Sequence, residues 1–208
     1  MLKIQNIPYY LQLMRVEKPI GSYLLMWPTL WGIWIASEGL PSAKVLIIFM
    51  LGVFIMRSAG CVINDIADRD IDKFVERTKD RPLTAGKVTT KEALSLLVLL
   101  ILIAGILALF LSYKTILLSI PALLIALSYP FMKRIHSLPQ AHLGVAFAFG
   151  IPMAFMEIQG SLPITAYLLF FANICWTLIY DTEYAMSDRE DDKSINIKSS
   201  ALLFESLL

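Results

Sequence analysis

Apolar residues run along this chain in stretches of about twenty, separated by short polar segments, and that length fixes the architecture. A helix needs roughly 20 mostly apolar residues to cross a bilayer. Six stretches qualify, near residues 20–37, 44–63, 93–112, 115–132, 141–157 and 163–182. The fourth and fifth contain Pro121 and Pro152, which buried spans tolerate when neighbouring groups satisfy the freed carbonyls. Gly150 beside Pro152 predicts a kink in the fifth. The expectation is an all-α polytopic transmembrane bundle of about six spans, forming a single domain over residues 1–208.

Composition agrees with that pattern. The chain is 57% hydrophobic, well above the 45–50% apolar usage of soluble domains, with a mean hydropathy of +0.67. The opening residues 1–18 are polar and aromatic, without the short apolar core of a cleavable signal. A net charge of +1 with no basic stripe gives no reason to expect nucleic acid. Cys61 and Cys175 sit in apolar stretches at no metal or redox spacing, and both read as buried small hydrophobes. His136 and His142 have no metal-ligand spacing and read as structural or interfacial. Trp27, Trp31 and Trp34 stud the first span as interfacial anchors, with the lining of an apolar pocket as the second reading.

The distribution of Lys and Arg orients the bundle. Lys3, Arg15 and Lys18 precede the first span, six cations fall between residues 73 and 91, Lys133 and Arg134 follow span four, and Arg189, Lys193 and Lys198 follow span six. The alternate loops hold only Lys44 and Lys114. Both termini and both of the acidic motifs described next therefore belong on the cytoplasmic side.

Carboxylates are costly beside hydrocarbon, so their clustering at two span ends calls for a reason. The first cluster is Asn64-Asp65-Ile66-Ala67-Asp68-Arg69-Asp70-Ile71-Asp72; the second runs from Tyr180-Asp181 through Tyr184 to Asp188 and Asp192. If each span continues helically, Asn64, Asp65, Asp68 and Asp72 share one face, as do Asp181, Tyr184, Asp188 and Asp192. Carboxylates so arranged suit hard cations such as Mg²⁺, which bridges them to substrate phosphates. Solvated charge runs are the plainer reading of one such cluster, and two on the same side weaken it. An EF-hand is excluded, because Lys73 and Lys79 stand where that loop needs Gly and Glu. Lys79 and Arg81 are candidate phosphate contacts. Arg57, inside the second span on the same face as Asn64, is a functional candidate by its position; Arg134 closes span four on the motif side.

Taken in order, these blocks resemble the UbiA-type intramembrane aromatic prenyltransferases, most closely those that act on 4-hydroxybenzoate. The resemblance runs from Arg15-Val16-Glu17-Lys18-Pro19 and Trp27-Pro28-Thr29 through Arg57-Ser58-Ala59-Gly60-Cys61 to the first acidic cluster. It continues through Arg81-Pro82-Leu83, Tyr129-Pro130-Phe131-Met132-Lys133-Arg134 and Tyr180-Asp181-Thr182 to Asp188-Arg189. It implies Mg²⁺-dependent transfer of a polyprenyl group from polyprenyl diphosphate to the ring carbon ortho to the hydroxyl of 4-hydroxybenzoate, in ubiquinone biosynthesis. It also implies metal ligands among Asn64, Asp65, Asp68, Asp72, Asp181, Asp188 and Asp192. Asp65, Asp68, Asp188, Arg134 and Tyr184 would take part in catalysis, and Arg57, Asn64, Lys79, Arg81 and Arg134 would hold substrate. Between the two arginines, Arg134 is favoured for the aromatic carboxylate. The family has nine spans, so a chain of about six is expected to be C-terminally truncated and of doubtful activity. Partners are the two substrates and the lipid bilayer, with no obligate protein. Competing readings are a cation-binding membrane transporter component and an inactive lipid-binding remnant. A CDP-alcohol phosphotransferase is disfavoured because its Asp-Gly and Ala-Arg pattern is missing.

Overall fold

A computed structural model of the chain describes residues 2–75, 77–187, 189 and 198–205. A short interfacial helix α1 (Ile7–Leu13) precedes the rods α2 (Ile20–Ser37), α3 (Ala43–Asp68), α4 (Thr90–Ala108) and α5 (Tyr113–Met132). The fifth predicted span is two pieces, α6 (Pro139–Ala148) and α7 (Gly150–Gln159); α8 (Ile164–Ser187) and the short α9 (Ser200–Glu205) follow. No strand occurs among the described residues.

Five of these spans, α3, α4, α5, α6–α7 and α8, are long and apolar enough to cross a membrane, and the molecule is an integral membrane protein. The sixth, α2, has the length, but three tryptophans, Pro28 and two glycines dilute its apolarity. It is nonetheless part of the bundle, burying Thr29, Gly32, Ile33 and Ala36 against α7 and α3. The predicted kink in the fifth span is present as an interruption at Phe149, next to Gly150.

Helices associate in lipid through close packing, because hydrocarbon tails offer no hydrophobic drive between them. Gly144 shows this most directly. A Cβ there would lie 3.0 Å from the Ile174 carbonyl oxygen and 3.1 Å from its Cα, so α6 meets α8 backbone to backbone. Hydrogen bonds then tie the rods at each end. At the end away from the acidic motifs, Glu157 of α7 accepts from the Ser112 amide (2.7 Å) and the Thr115 hydroxyl (2.9 Å), placing a carboxylate on the N-terminus of α5. Gln159 donates to the Ala36 carbonyl at 2.9 Å, and Lys114 to that of Gly160 at 3.0 Å.

The motif end is built differently. The segment between α3 and α4 folds back over the bundle, and its Leu83 and Val88 join Tyr10, Leu13, Ala59, Val62 and Leu96 in one buried cluster. Residues 198–205 lie across α6 and α8. There the Ser200 amide donates to Gln140 (3.0 Å), and its hydroxyl stands 2.6 Å from that of Thr182.

One residue departs from its expected setting. Cys61 is buried as expected, but Cys175 is exposed. Trp27, Trp31 and Trp34 are all about half exposed, none lining the central cavity, with Trp31 packed 5.9 Å from the Trp176 ring. His142 has the structural role expected, its Nε2 lying 3.0 Å from the Ser128 hydroxyl and 3.1 Å from the Ile125 carbonyl.

Candidate active site

A cavity of about 730 Å³ runs up the middle of the bundle, with a charged mouth at the motif end and an apolar interior. Its depth is lined by residues such as Phe49, Val53, Ile101, Leu123 and Phe147; its mouth gathers Asp65, Asp68, Asp72, Asp181 and six of the cations of the surrounding loops. One molecule with an anionic head and a long apolar tail matches both ends.

The first acidic motif is only partly helical. α3 ends at Asp68, and the chain turns through residues 69–71 into a single 3₁₀ turn, Asp72–Phe74. Asp72 therefore reaches the site by a turn, where a continuous helix was expected. The turn is pinned by the buried Thr78 hydroxyl, which donates to the Asp72 carbonyl at 3.1 Å. Asp65, Asp68 and Asp72 are 1%, 2% and 5% exposed. Asp70 points out to solvent beside Arg69 and Lys73, whose hydrogen bonds hold its carboxyl below the usual carboxylate range.

Each buried carboxylate has a basic partner. Arg15 binds Asp65 at 2.7 Å, and Arg81 bridges Asp65 (3.2 Å) and Asp72 (2.7 Å). Lys133 closes on Asp68 from the end of α5. The match leaves two oxygens over: Asp65 Oδ2 and Asp68 Oδ1 are buried without a hydrogen-bond partner. Buried carboxylate oxygens held without donors are the ligands a hard divalent cation takes. Among the described residues, no three His, Cys, Asp or Glu side chains stand close enough to hold a metal ion by themselves.

The second motif reaches the site on α8. Asp181 lines the cavity, and Arg57 is its charged neighbour. Tyr184, one turn further, lines the same wall and is 58% exposed. Asp188 and Asp192 lie outside the described residues. Deeper along α8, Asn173 is buried without a hydrogen-bond partner, and the Thr177 hydroxyl lies near that of Tyr180, which lines the cavity beside Asp181.

Of the other candidates from sequence, Asn64, Arg57 and Arg81 line the cavity, whereas Lys79 and Arg134 do not. Arg134 is exposed and donates to the Ala67 carbonyl at 2.5 Å, tying α5 to the end of α3. Arg57 lies against Gly21 of α2, where a Cβ would run into its guanidinium, and it donates to the Cys61 sulfur. Its Nε is buried and unpartnered. Sequence reasoning left out Arg15 and Lys133. For Arg15, nothing in the spacing signals an approach to Asp65 fifty residues on; for Lys133, the signal was its place at the end of a span on the motif side.

Residues 25–207 match the UbiA prenyltransferase family. The 4-hydroxybenzoate octaprenyltransferase of Pseudoalteromonas translucida is 60% identical over 199 residues, covering 96% of this chain and 68% of its own length. The enzyme of the same name from Neisseria meningitidis is 56% identical over 199 residues, covering 96% and 67%. Among solved structures, the apo UbiA homolog from Aeropyrum pernix K1 is 28% identical, with a TM-score of 0.72 over 98% of this chain and 71% of that one. The UbiA homolog from Archaeoglobus fulgidus bound to GPP and Mg²⁺ is 20% identical, with a TM-score of 0.76 over 94% and 69%, and it shares the fold. With the family matched along 25–207 and such relatives over nearly its full length, the chain belongs to the UbiA prenyltransferase family.

Proposed function

We propose that this protein transfers a polyprenyl group from polyprenyl diphosphate to the ring carbon ortho to the hydroxyl of 4-hydroxybenzoate, in ubiquinone biosynthesis and with Mg²⁺. One observation carries the reading: a single cavity joins a mouth of matched carboxylates and cations to an apolar interior within a membrane bundle. The names of the 56–60% identical relatives supply the substrates. The GPP and Mg²⁺ bound by the Archaeoglobus homolog fit the same division of head from tail.

Asn64, Asp65, Asp68, Asp72 and Asp181, with Asp188 and Asp192, are the residues that would hold Mg²⁺. When bound, the metal neutralises the diphosphate and makes it a better leaving group. The protein's own part is placement and charge. Arg15, Arg81 and Lys133 already stand at the mouth, and they turn from the carboxylates to diphosphate oxygens as those enter. The interior walls exclude water from the allylic cation left by ionisation, so the aromatic ring is the nucleophile it meets. Tyr184 presents a ring to that cation from the cavity wall. The ring carbon bonds to the allylic carbon, and loss of its proton restores aromaticity.

Arg57 now takes the place given above to Arg134 as partner of the aromatic carboxylate, because it lines the cavity with a donor to spare and Arg134 does not. The bilayer is proposed to be the bacterial or mitochondrial inner membrane, with the mouth facing the cytoplasm or matrix by the distribution of Lys and Arg. No obligate protein partner is invoked.

The test is a membrane assay of labelled 4-hydroxybenzoate with polyprenyl diphosphate and Mg²⁺, comparing the chain with Asp65→Ala and Asp188→Ala. Product from the parent and none from the variants is expected; equal product from all three sinks the two-motif mechanism.

A further inference from the structure

Arg15 stands at the mouth in a backbone conformation that its residue type disfavours. Its φ is +57°, the left-handed region where a Cβ crowds the backbone. Strain of this kind persists only where surrounding contacts enforce it. Locally, Arg15 ends α1: its amide donates to the Gln12 carbonyl (3.0 Å), as does its Nη1 (2.9 Å), while Nη2 reaches Asp65. The position of that guanidinium therefore depends on where α1 lies.

α1 is held by one carboxylate on another helix. Glu92, 3% exposed in the first turn of α4, divides its two oxygens between two tasks. Oε2 accepts from the Thr89 amide (3.0 Å) and hydroxyl (2.7 Å), completing the capping box of α4. Oε1 is not needed for the cap. It accepts from the Tyr10 hydroxyl and from the Asn6 side-chain amide, both at 2.9 Å, and the same Tyr10 hydroxyl accepts from the Lys3 amide. One turn beyond Tyr10, Leu13 is fully buried against α3 and α4, and two residues later comes Arg15.

We propose that Glu92, acting through Tyr10 and Asn6, is a positioning residue that holds Arg15 at the mouth. The proposal rests on the reading of that mouth as a diphosphate site. A buried carboxylate with charge-assisted hydrogen bonds to one face of α1 sets the helix's axial position and rotation. Those in turn decide whether the strained Arg15 side chain meets Asp65 or an incoming phosphate oxygen.

The two oxygens allow the roles to be separated. Asn6→Ala/Tyr10→Phe removes the α1 side of Glu92 and leaves the cap; Thr89→Ala removes the hydroxyl part of the cap and leaves the α1 side. Binding of geranyl diphosphate with Mg²⁺ to the purified 208-residue chain is measured by calorimetry, each variant with and without Arg15→Ala. The double variant is expected to weaken binding roughly tenfold, Tyr10→Phe alone roughly threefold, and Thr89→Ala less than about twofold. In the Arg15→Ala background the double variant adds nothing, which general destabilisation does not produce. Undiminished binding by Asn6→Ala/Tyr10→Phe, or an equal further loss on top of Arg15→Ala, overturns the proposal alone. No binding by the parent overturns the diphosphate reading and the proposal with it.

Discussion

The two acidic motifs answer the cost of buried charge in opposite ways. The buried carboxylates of the first are each paired with a cation: Arg15, Arg81 and Lys133 come from three different parts of the chain to meet Asp65, Asp68 and Asp72, leaving Asp65 Oδ2 and Asp68 Oδ1 without a partner. Asp181 of the second makes no hydrogen bond or ion pair among the described residues, has Arg57 as its charged neighbour, and shares α8 with the buried, unpartnered Asn173. The first motif is therefore both a binding site and a structural joint that fastens α1, the α3–α4 segment and α5 together. The second presents Asp181 to the cavity without a hydrogen-bond partner among the described residues. Losses at the first motif are expected to cost fold and function together, and losses at the second function alone.

The strongest challenge to that contrast is Asp65→Ala, which removes the carboxylate shared by two arginines. Prenylation of labelled 4-hydroxybenzoate should fall by at least ~10²-fold, as when a group that organises transition-state charge is lost. Next comes Arg81→Ala, which strands Asp72 and leaves Asp65 to Arg15 alone. Unfolding in detergent should show a loss of about 3 kcal/mol, the lower end for breaking a buried pair, since Arg81 keeps some exposure. Asp181→Asn should leave the unfolding midpoint within about 1 °C of the parent while activity drops ~10-fold or more. A fall in midpoint as large as that of Arg81→Ala erases the distinction between the motifs.

Gly21→Ala offers a finer probe, because the added methyl must displace the Arg57 guanidinium. KM for 4-hydroxybenzoate should rise roughly fivefold with that for polyprenyl diphosphate unchanged, as expected when one charge-assisted contact is lost. A rise in the prenyl diphosphate KM instead assigns Arg57 to the diphosphate. The smallest effect belongs to Asp70→Ala, the one carboxylate of the first motif facing solvent; neither midpoint nor activity should change.

How far the chain could be read before its structure follows from the range of the interactions. The rods were legible because hydrophobic length is local, and Gly150 with Pro152 announced the break at Phe149. α2 read as an ordinary span, though its glycines, Pro28 and Thr29 serve close packing as much as lipid solubility. Asp72 was identified for the wrong reason: helical periodicity carried it to the right face, whereas a turn held by Thr78 does so in the molecule. Arg15 was not chosen, because no local pattern records that the end of α1 comes to rest on a carboxylate of α3; Lys133 was passed over although it ends a span on the motif side. Choosing Arg57 over Arg134 likewise required seeing which guanidinium the α3 backbone turns inward.

Glu157, at the far end, carries a consequence of its own. By gathering the start of α5 onto α7, with Gln159 reaching the end of α2, it fastens three rods through short hydrogen bonds remote from the mouth. The mouth is joined largely by ion pairs whose carboxylates are buried while their basic partners keep some contact with solvent, and salt screens such pairs from that exposed side. The bundle is thus clamped at its base and compliant at its rim. Salt should loosen the entrance well before it loosens the scaffold.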